Sequence, residues 1–129
     1  MPMNRSHPPD LRYSDWHRRL APTLGMIDLD AVECCHRCWA PLALIELTRW
    51  GSGEKRATTT TRLADAAGVP AYLVRYEFPE PPPPTRLSVR KLGDNHPARL
   101  MTAGQYEEFL HDLRFGHQCD ERTQPDGEQ

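Results

Sequence analysis

Two acidic residues stand where a folded chain rarely keeps charge. Glu46 interrupts the apolar run Leu42-Ala43-Leu44-Ile45-Glu46-Leu47, and Asp30 lies 16 residues earlier in Ile27-Asp28-Leu29-Asp30-Ala31-Val32. A carboxylate in an apolar strand must be paired, metal-bound or protonated. Either Glu46 meets an arginine such as Arg49 or Arg75 at a sheet end, or it shares a cation with Asp30. Two carboxylates in one cleft repel, and a divalent cation is the usual way to hold them. All-oxygen ligands select magnesium or manganese. Asp28 either helps with a second ion or only orients its strand.

A second constellation is Cys35-His36-Arg37-Cys38. A Cys-x-x-Cys turn is half of a structural zinc site, which takes four tetrahedral ligands. For the other half the chain offers Cys34, His36 and the distant His117 and Cys119. His117-x-Cys119 returns from the end of the last helix, or two chains share an ion, or the thiols stay reduced and free. Crowded cysteines of this kind do not resemble a disulfide framework. Cysteine catalysis lacks a visible oxyanion loop or third partner.

The elements that must position these residues follow from periodicity. Ser14-Asp15 is expected to cap a short helix with Trp16, Leu20 and Leu24 inward. Residues 26–35 alternate as a half-buried strand, and Pro41–Thr48 reads as a second strand, apolar on both faces at its centre. The short turn between them suggests a hairpin. Residues 54–67 read as a helix with Ala57, Leu63, Ala64 and Ala67 inward, although four threonines weaken it, and Gly68 is a C-cap. Val69–Phe78 is β-branched and aromatic, the best strand in the chain. A helix leading tightly into such a strand is the mark of an α/β crossover. Pro79–Pro84 is a stiff extended connector. Thr85–Leu92 reads as an edge strand with Leu87 and Val89 on one face. Thr102 caps a last helix, 103–115, with a stripe of Tyr106, Phe109, Leu110 and Leu113. Trp16, Trp39 and Trp50 are expected to pack. The fold class is therefore α/β, a small mixed sheet with flanking helices. The domain organisation is a flexible arm over 1–12, one domain over 13–115, and a disordered acidic tail over 116–129.

Composition narrows the function. The chain has 129 residues, 13 prolines and a net charge of −2. That balance argues against a general nucleic-acid coat protein. The charge is unevenly spread, however. Arg49–Arg62 holds four bases against Glu54, and Arg86–Arg99 holds four against Asp94, while the last 23 residues carry seven acids against two bases. An acidic tail masks a basic middle that can face phosphate. No apolar run approaches a membrane span of about 18 residues, and no apolar signal region follows Met1, so the expected location is cytoplasmic.

With these residues in view, the pattern resembles the PD-(D/E)XK nuclease superfamily. Leu29-Asp30-Ala31-Val32 is similar to its first signature and Ile45-Glu46-Leu47-Thr48 to its second, with a helix and a strand following in the family's order. More narrowly, residues 13–78 resemble small phage and actinobacterial proteins of nuclease type. Those carry an Asp-x-Asp strand, an Ala-Leu-Ile-Glu strand and an Ala-Gly-x-Pro-Ala segment leading into a Val-x-Tyr strand. The resemblance implies a restriction-endonuclease-like core of order α-β-β-α-β and hydrolysis of DNA phosphodiester bonds. It implies magnesium or manganese held by Asp30, Glu46 and the Leu47 carbonyl. The family's lysine position is Thr48 here, and the resemblance allows a migrated lysine, Lys55, to orient the attacking water. Arg49, Arg56 and Arg62 would then hold phosphates. The alternatives are an inactive nuclease-fold protein that binds nucleic acid or a protein partner, and a zinc-knuckle interaction module. DNA is the expected partner, no membrane is implied, and a homodimer stays open. If the chain is phage-encoded, its location is the host cytoplasm.

Overall fold

In a computed structural model, residues 12–53, 56–79 and 83–119 of the chain are described. They fall into two units that divide between Asp28 and Leu29. The first holds one helix, α1 (Arg12–Arg18), of seven residues with no buried side chain. It starts before the expected Ser14 cap, and the expected inward face is open, with Trp16 52% and Leu24 54% exposed. Two turns of helix without a packed face are marginal, and an apolar stripe alone does not bury them.

The second unit contains β1 (Ala31–Cys34), β2 (Pro41–Arg49), α2 (Thr58–Ala67), β3 (Ala71–Glu77), β4 (Arg86–Lys91), β5 (Arg99–Met101) and α3 (Ala103–Phe115). Among the described residues the strands form one mixed sheet in the order β1-β2-β3-β4-β5. β2 and β3 run parallel and every other pair is antiparallel. A parallel pair needs a crossover, and α2 supplies it. Among the described residues the fold is thus α/β, with three helices and a five-stranded mixed sheet.

The centre of β2 explains the two layers. Ala43, Leu44, Ile45 and Glu46 are all buried, as in a strand covered on both faces. On one face Leu44 packs with Ala64 of α2 and Ala71. On the other, Ile45 joins Val74, Leu87, Val89 and Met101 beneath Tyr106, Phe109 and Leu110 of α3. Phe109 meets Tyr72 edge-to-face at 4.9 Å.

Several elements depart from the expected pattern for identifiable reasons. The expected strand over 26–35 begins only at Ala31. α2 begins at Thr58 rather than residue 54, with Ala57 as an N-cap that offers no side-chain hydrogen bond. Its buried residues are Thr60 and Ala64, one turn apart, and Leu63 is 48% exposed. Gly68 ends the helix at φ 72°, its amide donating to the carbonyls of Ala64 and Asp65, a conformation glycine adopts without strain. β4 is not an edge strand, because β5 pairs outside it, Leu87 opposite Met101. α3 keeps its expected span, and Thr102 and Gln105 form a reciprocal capping box at 3.1 and 3.0 Å. Trp39 and Trp50 are exposed rather than packed. The Trp50 ring instead lies 3.9 Å from the Arg86 guanidinium. No described helix is long and apolar enough to cross a membrane.

Candidate functional site

The β1–β2 register pairs Ala31 with Ile45 and so carries Asp30, one residue before β1, to the level of Glu46. Directly opposed residues of an antiparallel pair have Cβ atoms about 4.5–5.5 Å apart. Alternation turns both side chains to the face covered by α2. Asp30 Oδ2 accepts the Leu47 backbone N–H at 2.8 Å. Glu46, 1% exposed, accepts the Thr60 hydroxyl on Oε1 at 2.6 Å. Thr60 is itself 1% exposed, so the β-branched run that weakens α2 also supplies the donor that orients the buried acid. Carboxylate oxygens are the donors that a hard dication takes.

The other expected residues stand as follows. Thr48, at the family's lysine position, is half-buried two residues beyond Glu46 on the same face. Lys55 lies outside the described residues. Arg49, Arg56 and Arg62 are exposed. Arg62 is on α2, and Arg49 ends β2 in the alternation of Ile45 rather than that of Glu46. Asp28 is exposed and belongs to the first unit. Two further bases join the Glu46 face through register. Glu46 aligns with Leu73 and then Arg90, and Thr48 with Arg75 and then Ser88. Arg90 had no assigned part in the sequence reading, although the period-two spacing of Ser88 and Arg90 against Leu87 and Val89 carries the signal.

The hairpin linking β1 and β2 builds the second constellation. Cys35 and Ala40 close it through Cys35 N–H to the Ala40 carbonyl, and Trp39 N–H donates to the Cys35 carbonyl, both at 2.9 Å. Trp39 takes φ 63°, a left-handed conformation uncommon outside glycine. The turn brings Arg37 N–H to 3.4 Å from Cys35 Sγ. Beyond α3, His117 Nε2 comes to 3.2 Å from Cys38 Sγ, and Cys119 Sγ to 3.7 Å from Cys35 Sγ. The ligand atoms of Cys35, Cys38, His117 and Cys119 all lie within 4.8 Å of one another. Sulfurs around a tetrahedral zinc, with bonds of about 2.3 Å, are roughly 3.8 Å apart. The cluster is therefore a possible metal site compatible with zinc.

At Cys35 the local electrostatics favour thiolate. Burial pushes the Cys35 thiol up, but hydrogen bonds from the Cys38 and Arg37 amides, then from Cys119 and Cys38, bring it down to about 6. Cys119 moves up, chiefly through its hydrogen bond to Cys38 and then through burial. Of the ligands the sequence offered, Cys34 and His36 stand outside the cluster. Cys34 Sγ instead donates to the Val32 carbonyl at 3.6 Å, and His36 is exposed.

Comparison with known protein families, with characterised proteins and with solved structures found no match.

Proposed function

We propose that the chain is a nuclease-like protein that hydrolyses DNA phosphodiester bonds with magnesium or manganese, on a scaffold stapled by zinc. The observation that carries this reading is Asp30 standing level with Glu46, its carboxylate bound to the very next amide, that of Leu47. The carboxylates of Asp30 and Glu46 would hold the ion. When bound, it lowers the pKa of a water and neutralises charge on the phosphate. The chain's own residues do the positioning. Leu47 N–H orients Asp30, and Thr60 orients Glu46. Arg75 and Arg90, on the same sheet face, and Arg56 and Arg62 attract backbone phosphates, which gives affinity without sequence choice. Lys55 takes the water-orienting part that Thr48 cannot. At the hairpin, three thiolates and one imidazole make a closed set of four, the pattern of a structural rather than a catalytic zinc.

Thr48 also favours a second reading, in which the same fold binds nucleic acid or a protein partner without cutting. Manganese binding, followed by electron paramagnetic resonance alongside DNA gel shifts, separates the two. The nuclease reading expects manganese bound by the wild type and lost in both Asp30→Ala and Glu46→Ala. DNA binding without any manganese binding would leave only the second.

A further inference from the structure

α3 crosses the sheet from edge to edge. It follows β5 directly through Thr102, and its last turns reach the β1–β2 hairpin, where His111 and Arg114 line a cleft with Glu33, Cys34 and His36. β5 and β1 are the two edges of the sheet. The 13 residues of α3 make roughly 20 Å of helix. Four interstrand spacings make roughly 19 Å, so the helix is just long enough to bridge them.

Between its ends the helix packs Tyr106, Phe109 and Leu110 against the sheet core. No side chain of α3 is fully buried. A cavity of about 520 Å³ opens between it and the sheet, lined among others by Ile45, Leu47, Val74, Tyr76, Leu87 and Leu110. The N-terminal end is fixed by the Thr102–Gln105 capping box. The C-terminal end is fixed differently. Arg114 donates to the His117 carbonyl at a long 3.5 Å, and its buried Nε has no hydrogen-bond partner among the described residues. What ties this end to the sheet is His117 against Cys38 and Cys119 against Cys35, contacts that span 79 and 84 residues of chain.

Resting on the zinc assignment above, we infer that the ion is a clasp that sets how readily α3 lifts from the sheet. With zinc bound, the helix is a strap fastened at both edges over the apolar cavity. With zinc lost, the strap keeps its capped start and the packing of Tyr106, Phe109 and Leu110 but loses its fastening at the β1–β2 hairpin, and it opens locally while the strands and α2 stay formed. The ion therefore controls access to the Ile45–Val74–Leu87 face.

The test is amide hydrogen exchange on the full chain under reducing conditions, read beside zinc content. Three samples are compared: zinc-loaded wild type, wild type after chelation, and Cys119→Ser, which leaves the Cys35–Cys38 turn intact. The clasp predicts one zinc per chain when loaded. On zinc loss, exchange across 104–115 speeds up by about tenfold or more, while 43–47 and 71–77 change by less than about threefold. His117→Ala should reproduce the pattern if Cys119→Ser folds poorly. Zinc bound with helix and sheet losing protection together, or with helix protection unmoved by zinc loss, would overturn the clasp and leave the zinc assignment standing. No zinc bound, or one ion shared by two chains, would remove the assignment and the clasp together.

Discussion

Replacing Thr60 with valine removes one hydroxyl and keeps the shape of the side chain. That hydroxyl donates to Glu46 Oε1 at 2.6 Å, and both residues are 1% exposed. A hydrogen bond to an ionisable group contributes about 2 kcal/mol, and most of its loss is the cost of leaving the acceptor desolvated. Urea unfolding of zinc-saturated protein should therefore show Thr60→Val destabilised by about 2 kcal/mol. At a denaturant slope of about 1.3 kcal/mol per M, the midpoint falls by roughly 1.5 M. Thr60→Ser keeps the donor, loses one methyl and should cost only about 1 kcal/mol. In a Glu46→Leu background the acceptor is gone, so Thr60→Val should cost almost nothing, a coupling that the double-mutant cycle reads directly. A midpoint shift in the single variant below about 0.3 M, or an equal loss in both backgrounds, would refute the claim that Thr60 holds Glu46.

Further outcomes follow from the same structure. Burial, and after it the charge of Glu33, push the Tyr106 phenol up to about 12. An unfolded phenol titrates near 10. As pH rises from about 10 towards 12, the unfolded chain gives up a proton that the folded chain keeps, so stability falls across that window. Tyr106→Phe should flatten the fall in pH-dependent urea melts, and an unchanged slope would exclude Tyr106 as its source. Trp39 holds φ 63° on an exposed ring, so Trp39→Gly should stabilise the hairpin by about 1 kcal/mol. A loss of stability of that size would mean the ring packs more than its exposure suggests. The exchange experiment on α3 and the manganese titration complete the set.

Much of this fold was legible because particular residues speak locally. The run Leu42–Leu47 announced β2, Gly68 the end of α2, and Thr102 with Gln105 the start of α3. The α/β class follows from a helix lying between two apolar strands. β5 stayed hidden because Arg99-Leu100-Met101 is too short to show alternation and earns its pairing only from β4. The start of α2 at Thr58 is hard to see locally, since Ala57 offers no capping side chain and the threonines that open the helix weaken its propensity. Type and spacing point Leu63 inward, yet which stripe of α2 meets the sheet is a tertiary fact. The site divides in the same way. Cys35-x-x-Cys38 is visible as half a ligand set, but nothing local selects His117 and Cys119 over Cys34 and His36. That choice depends on α3 crossing the sheet. Asp30 and Glu46 could be linked because a short turn joins their strands, whereas Arg90 enters through two successive register relations that no single segment contains.

The most direct test of the account is cleavage of supercoiled plasmid by zinc-loaded protein with magnesium, manganese or chelator, run beside Glu46→Ala that is shown to be folded. The account predicts cutting that requires the added cation and disappears in the variant. No cutting by folded wild type, or cutting that survives in Glu46→Ala, would contradict it.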